Sequence, residues 1–354
     1  MEWTRGRTLG RGSSATVYAA TCHNSGEIIA VKSAELSRSG FLQREAKILS
    51  SLNSPYVVGY RGCHITKMRS DSAVYNLLME YAPSGTVADV AAKNGSGLGE
   101  TMFAKYTRQI IRGLEYLHSK GIVHCDIKGS NVLIGESGDA MIADFGCAKR
   151  VDPEPDSAEP IRGTPAFMAP EAARGEKQGK ESDIWAVGCT VIEMATGSPP
   201  WTAEAGDPFS VIYRVGYSGE SPEIPCFLTE QAKDFLRRCL ERKPEERWTA
   251  SQLLNHPFVC KPDPEPGLIP GSISNSPTSV MDQLFWRSVE EEEDLGHPSR
   301  WVSHDERIGR LRCVGYGGPT WDLEGGDWVT VRERCDGTMI GGSHCEFVIS
   351  GNVM

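Results

Sequence analysis

Apolar positions recur with two different periods along this chain. Up to about residue 81 the apolar runs are short: TLGRG, TVYAAT, IIAVKS, VVGYRG and YNLLMEY, separated by Gly, Asn and Ser. Runs of this length, rich in Val, Ile, Thr and Tyr and bounded by turn formers, predict strands. One interval, GFLQREAKILSSL, interrupts them. Phe41, Ile48, Leu49 and Leu52 fall near a helical period there, which predicts a helix between strands. From about residue 86 the longer period takes over. In TMFAKYTRQIIRGLEYLHSKG, Phe103, Tyr106, Ile110, Leu114 and Leu117 form one stripe, ended by Gly121. A β-like stretch, NVLIGESGDAMIADFG, follows. Four helical runs come next: DIWAVGCTVIEMATG, FSVIYRVGY, TEQAKDFLRRCLERKP and TASQLLNHPF. The pattern predicts an α+β chain with a small sheet-rich lobe, a larger helical lobe, and a cleft between them as the natural ligand site.

The pattern changes again after Phe258. KPDPEPGLIPGSISNSPTS is rich in Pro, Gly and Ser and reads as a linker, and EEEED at 290–294 as a solvated acidic run. TWDLEGGDWVTVRE alternates apolar and polar residues, as a small hairpin would. The expected organisation is therefore one domain over 3–258, a linker over 259–300, and a tail over 301–354 that forms a small hairpin or stays disordered. Charge follows the same boundary. The chain of 354 residues has a net charge of −10, and residues 261–354 hold 8 basic against 16 acidic residues, leaving 29 and 31 in the first 260. An acidic chain argues against a nucleic-acid surface. There is no apolar run of about 18 residues and MEWTRGRTLGRG has no apolar signal core, so neither a membrane span nor secretion is expected. The eleven cysteines form no CxxC pair, and Cys335, His344 and Cys345 fit no common zinc spacing. Free thiols in a reducing compartment follow, with a cytoplasmic and nuclear location expected.

Candidate chemistry sits in four places. In LGRGSSATV, Gly10 and Gly12 allow a backbone to approach phosphate oxygens. A strand follows rather than the helix a dinucleotide fold requires, and by itself the loop reads equally as a turn. AVK places Lys32 on a strand, and Glu45 on the intervening helix can pair with it; a lone strand lysine is otherwise a solvated charge. HCDIKGSN (His124–Asn131) holds Asp126, able to accept or orient a hydroxyl proton, and Lys128, able to offset phosphoryl charge. Its Asn131 offers an amide oxygen to a hard cation, and DFG (Asp144–Gly146) adds a carboxylate for the same metal.

In this order and at these separations the residues resemble a eukaryotic protein kinase: GxGxxA, AVK, a helical Glu, HxDIKxxN, DFG and APE at Ala169–Glu171. The resemblance covers about residues 3–258. It implies the bilobal kinase fold, ATP with Mg²⁺ in the cleft, and phosphoryl transfer to a protein hydroxyl. It further implies that Asp126 and Lys128 are catalytic and that Asn131 and Asp144 hold the metal. The nucleotide site it implies takes Leu9, Gly10, Arg11, Gly12, Ser13, Ser14, Ala15, Thr16 and Val17 from the loop. Ala30, Lys32 and Glu45 belong to the same site, with Met79 as gatekeeper and Glu80, Tyr81 and Ala82 as hinge. Glu171 is expected to pair with Arg247, and Asp183, Trp185 and Gly188 match an anchoring helix. DIKGSN, and GTPAFMAPE with Thr164, are similar to the Ser/Thr-specific pattern. GTPAFMAPEAARG, REAKILSSL and CDIKGSNVL resemble MAP kinase kinase kinases of the MEKK type, and the short N-terminus, HCD loop and SNSPTSV resemble the small plant members. That implies MAP kinase kinases as substrates, in stress and hormone signalling.

Cys125 departs from the family, which usually has Arg before the catalytic Asp to read an activation-loop phosphate. A thiol cannot do this and is expected to pack. The loop DFGCAKRVDPEPDSAEPIRGTP offers only Ser157 and Thr164 as hydroxyls and is acidic at Asp152, Glu154, Asp156 and Glu159. Activity is therefore expected to depend little on phosphorylation of Ser157. Cys147 follows DFG and is expected simply to pack, the alternative being a redox- or electrophile-sensitive thiol whose pKa a nearby Lys149 lowers. Ser276-Pro277 is a proline-directed site for feedback by a downstream MAP kinase, or an unused linker serine. The alternative functions are a nucleotide-binding pseudokinase or scaffold, on the strength of Ala15 and Cys125, and a Ser/Thr kinase outside the MAP kinase cascade.

Overall fold

A computed structural model describes residues 2–260, apart from 13, 68–72, 96, 152–160 and 202–206. Strands β1 (Trp3–Arg11), β2 (Thr16–Cys22) and β3 (Ile28–Glu35) are followed by α1 (Gly40–Leu49), β4 (Tyr60–Lys67) and β5 (Ala73–Glu80). The five strands form one antiparallel sheet in the order β1-β2-β3-β5-β4. Alternation along β3 and β5 splits their side chains between two faces. Ala30, Leu77 and Met79 join the main core with α1, whereas Ile29, Val31 and Leu78 pack with Ala20 and Cys22 on the other side.

The predicted helix is present, but its buried face is not the predicted stripe. α1 buries Leu42, Glu45, Ala46 and Leu49. Phe41 is 59% exposed, with the Arg44 guanidinium 4.4 Å from its ring centre. A helix beginning at Gly40 turns Leu42, Glu45, Ala46 and Leu49 inward at its 3.6-residue period, and a carboxylate occupies one inward place because a lysine meets it there. VVGYRG is also divided. The strand begins at Tyr60, while Val57 bridges to Ile142 and the Val58 amide donates to the Ile142 carbonyl at 2.9 Å.

The helical lobe begins with α2 (Val87–Lys93), whose Thr86 and Asp89 cap each other reciprocally. α3 (Glu100–Ser119) buries all five predicted stripe residues, and Gly121 at φ +68° ends the run. Two ribbons follow: β6 (Ile122–Val123), β7 (Val132–Ile134), β8 (Ala140–Ile142) and β9 (Lys149–Arg150), paired β6–β9 and β7–β8. Then come α4 (Pro170–Ala173), α5 (Lys180–Thr196), α6 (Pro208–Tyr217), α7 (Glu230–Cys239) and α8 (Ala250–Leu253), the last much shorter than the TASQLLNHPF run suggests. α5 is buried on nearly every side. A Cβ on Gly188 would lie 2.8–2.9 Å from Leu240 and Cys239, so this position admits only glycine without a shift.

Two charged joints tie the lobe together. Arg247 grips Glu171 with both nitrogens, Nη1–Oε1 at 2.6 Å and Nη2–Oε2 at 2.7 Å, with both side chains buried. Asp183 of α5 accepts from the backbone amides of His124 and Cys125 and from His118 Nε2, each at 2.9 Å. The linker from 261, the tail, the acidic run, Ser276 and the Cys335–His344–Cys345 group lie outside the described residues, as do Ser13 and Ser157.

Candidate active site

The glycine loop is a tight turn. The Gly12 amide donates to the Ala15 carbonyl at 2.8 Å, closing β1 onto β2, with Gly10 opposite Val17 and Arg11 opposite Thr16. Leu9 and Ala15 are buried beneath it, and Ser14 is exposed. Strand register then fixes the next group. Val17 faces Lys32 across β2–β3, and Ala30 faces Met79 across β3–β5. Met79 is buried. Glu80 accepts the Gly59 amide at 3.2 Å through Oε2, and the Tyr81 hydroxyl accepts from Arg7 at 3.0 Å. Ala82 lies in the connection to α2.

Lys32 Nζ lies 2.8 Å from Glu45 Oε2 and 2.8 Å from Asp144 Oδ1, joining strand, helix and DFG turn. Burial by itself would push the lysine down; Asp144 and then Glu45 more than reverse that and hold it above its ordinary value. Burial also works to raise Asp144, but Lys32 outweighs it and keeps that carboxyl well below the usual range. Glu45, more deeply enclosed and with Oε1 unpartnered, is raised by its burial despite the lysine. Asp144 therefore carries the firm negative charge of the group. It stands at φ +61°, with the Gly146 amide on Oδ1 at 3.3 Å.

Across the cleft the HCDIKGSN residues are joined through Thr164. Its hydroxyl donates to Asp126 Oδ1 at 2.7 Å and accepts from Lys128 Nζ at 2.7 Å. Lys128 is itself 3.4 Å from Asp126 Oδ2, and its side chain is buried. Asn131 spends its amide nitrogen on Asp126, on the backbone carbonyl at 2.8 Å and Oδ2 at 2.9 Å. Its amide oxygen is separate from these contacts, and Asp144 has a second carboxylate oxygen besides the Oδ1 that meets Lys32 and Gly146. An amide and a carboxylate oxygen are hard donors, and Mg²⁺ binds protein through few such ligands while keeping waters and substrate phosphates. The residues present thus fit Mg²⁺ with a nucleotide. Among the described residues no cluster of three or more His, Cys, Asp and Glu could hold a metal ion. None of their helices is long and apolar enough to cross a membrane.

Cys125 is buried, its thiol 3.8 Å from the Val123 carbonyl, and packs as expected. Its φ of +66° is a costly backbone state for a residue with a Cβ. The double grip of Asp183 on the amides of 124 and 125 enforces it. The returning activation segment closes on this point through neutral carbonyls. Gln178 Nε2 reaches the carbonyls of Cys125 (3.4 Å) and Arg162 (3.3 Å), and Arg162 reaches the carbonyl of Cys147 at 3.4 Å. A Cβ on Gly163 would lie 2.5 Å from the Cys125 oxygen. Of the two readings of Cys147, simple packing is the one the structure favours. Its thiol is pushed up to about 12, first by burial and then by Asp126 and Asp144, so it is a poor nucleophile.

Two residues escaped the sequence reading. Gln178 carries no sequence signal. Glu193 carries a faint one, a carboxylate in the apolar run VIEMA. Its Oε2 accepts the Gly129 amide at 2.8 Å, beside Lys128. Burial raises it to about 7, against the pull of Gly129 and Lys128.

Comparison with known proteins agrees with this geometry. The protein kinase domain family matches residues 3–259. Mitogen-activated protein kinase kinase kinase 17 of Arabidopsis thaliana is 66% identical over the whole of this chain and 99% of its own length. Kinase 18 of the same series and organism is 67% identical over 94% of this chain and all of its own. Kinase 20 is 38% identical over the same shares.

Proposed function

The chain belongs to the protein kinase family, in its plant MEKK-type serine/threonine branch, and from that membership we propose that it transfers phosphate from ATP–Mg²⁺ to activation-loop Ser/Thr residues of MAP kinase kinases. The observation that carries the reading is the Asp126–Thr164–Lys128 clasp, which joins a base, a cation and the substrate-side segment within 2.7 Å contacts. ATP with Mg²⁺, when bound, supplies the phosphoryl group and its counter-charge. Asp126 orients the substrate hydroxyl and takes its proton. Lys128 offsets charge as it develops on the transferring group. Lys32, steadied by Glu45, binds phosphate oxygens beneath the turn at Gly10–Ala15, and Asn131 and Asp144 supply the metal's protein oxygens. Ala30, Met79 and the stretch Glu80–Ala82 frame the adenine end. A scaffold without turnover is not favoured, because every ionisable part of this machinery is present and mutually engaged.

Radiolabelled transfer to a kinase-inactive MAP kinase kinase tests the proposal. Lys32→Met and Asp126→Asn should each lower it about 10³-fold, the scale of a lost general base or electrostatic group. Full transfer by either variant overturns these roles. Transfer only to unrelated proteins would place the enzyme outside the cascade.

The buried thiol at Cys125, which offers a phosphate no cation, supports a second element of the reading, an enzyme little dependent on phosphorylation of its own activation segment. Ser276-Pro277 is the proposed site of feedback by a proline-directed kinase; unchanged output from a Ser276→Ala variant after downstream activation would dismiss it.

A further inference from the structure

One side-chain amide touches both segments that build the Asp126–Thr164–Lys128 clasp. Gln178 stands in the connection between α4 and α5, where Glu176, Lys177 and Lys180 are exposed and Gln178 itself is partly buried. Its Nε2 donates to the Cys125 carbonyl at 3.4 Å and to the Arg162 carbonyl at 3.3 Å. Cys125 immediately precedes Asp126, and Arg162 stands two residues before Thr164, whose hydroxyl donates to Asp126 at 2.7 Å. The amide therefore bridges the two segments one and two residues from the point where they meet. They approach closely there. Gly163, between Arg162 and Thr164, has φ +110°, and a Cβ on it would lie 2.5 Å from the Cys125 oxygen, so a side chain at this place forces a shift. Residue 125 is held at both ends: Asp183 takes its amide at 2.9 Å and Gln178 its carbonyl, around a φ of +66°. The side-chain chemistry fits the place. An amide carries two N–H donors on one nitrogen, enough for two carbonyls, whereas a carboxylate of the same shape only accepts and would set a charge against both oxygens.

We propose that Gln178 is a positioning residue for phosphoryl transfer: it staples the activation segment to the loop of Asp126 and so holds Thr164 on Asp126 and Lys128. The inference rests on the protein-kinase reading above. Cys125 is a buried thiol and offers no cation by which a phosphate could join the two segments at this place; the amide joins them without charge. Gln178 touches neither substrate nor the reacting atoms in this reading. It acts through the clasp, which sets the base and the cation against each other at 2.7 Å contacts. Its effect therefore falls on the transfer step. Lys32 with Glu45 and Asp144 forms a separate joint, so nucleotide affinity stays as it is.

The test is a double-mutant cycle on the full chain, with Gln178→Glu and Thr164→Ala made singly and together. The readout is single-turnover transfer of radiolabelled phosphate to a kinase-inactive MAP kinase kinase, beside the Kd for ATP–Mg²⁺. Gln178→Glu alone should slow transfer about tenfold, the scale of two lost neutral hydrogen bonds, and leave the Kd unchanged. The unchanged Kd also reports that the variant is folded. In the Thr164→Ala chain, which has already lost the clasp, adding Gln178→Glu should cost almost nothing. Gln178→Met, which removes the donors and adds no charge, should show the same pattern in weaker form. Wild-type transfer by Gln178→Glu would overturn the inference and leave the kinase reading standing. Equal losses with and without Thr164 would give Gln178 a role independent of the clasp and overturn it as well. Loss of nucleotide affinity together with transfer would make the residue structural, with the same consequence. A wild-type chain that transfers nothing to this substrate would overturn the substrate reading, and with it the step that Gln178 positions.

Discussion

The two walls of the cleft are built on opposite principles. On the Lys32 side, one lysine meets two carboxylates at 2.8 Å, one of them, Glu45, fully enclosed. At the anchor of the activation segment, beside Cys125, the contacts run from an amide and a guanidinium to main-chain carbonyls at 3.3–3.4 Å. The difference matters because a phosphate acts by meeting cations. A wall made of charge responds steeply to the loss of a charge. At the other wall, position 125 itself offers no cation and Arg162 is held on a main-chain carbonyl, so an added phosphate meets no charge from the catalytic-loop position that Cys125 fills.

The largest expected effect lies on the charged wall. Glu45→Ala leaves Lys32 with Asp144 alone, and breaking one side of a buried pair costs about 3–5 kcal/mol, enough for a 10²-fold loss of kcat/KM. Steady-state kinetics with saturating Mg²⁺ measure it, and a loss under fivefold would erase the contrast. At the neutral wall, Ser157→Ala should keep activity within about tenfold of wild type, a span of 1.4 kcal/mol. A larger loss in the same assay would show that some other cation reads a phosphate there.

Glu193 sharpens the comparison further, as a buried carboxyl beside only one lysine. Its folded pKa of about 7 lies above its unfolded value near 4.5. The stability it contributes is therefore complete below about pH 4.5 and is lost as pH rises through 7. Tm of the wild type should fall relative to Glu193→Gln between pH 5 and 7.5, by a few degrees; parallel curves would contradict the assignment. The smallest effect is at Cys147. Brief iodoacetamide treatment at pH 7.5 should label the exposed Cys63, Cys226 and Cys260 and leave Cys147 unmodified, with or without ATP. ATP-sensitive labelling of Cys147 would restore a reactive thiol to the cleft.

Much of this was legible in the chain itself. Gly10, Lys32, Glu45, Asp126, Asn131 and Asp144 stand in an order that resembles a protein kinase, the family the chain belongs to, and the five stripe residues of α3 have the period of a helix. The Glu171–Arg247 pair, 76 residues apart, followed from the resemblance and is present at 2.6 Å. These features are local motifs or one-to-one partners, so linear order is enough to find them. Other properties belong to the folded arrangement. The inward face of α1 included Glu45 rather than Phe41 because a lysine from β3 arrives there to offset the buried charge. Cys147 and Lys149 are neighbours in sequence, yet the thiol is governed by burial and by Asp126 and Asp144, brought close by folding. Gln178 and Glu193 gained their roles only when α5 and the segment before it came against the catalytic loop. Solvation and long-range charge depend on what surrounds a group in space, and a residue's sequence neighbours do not report that.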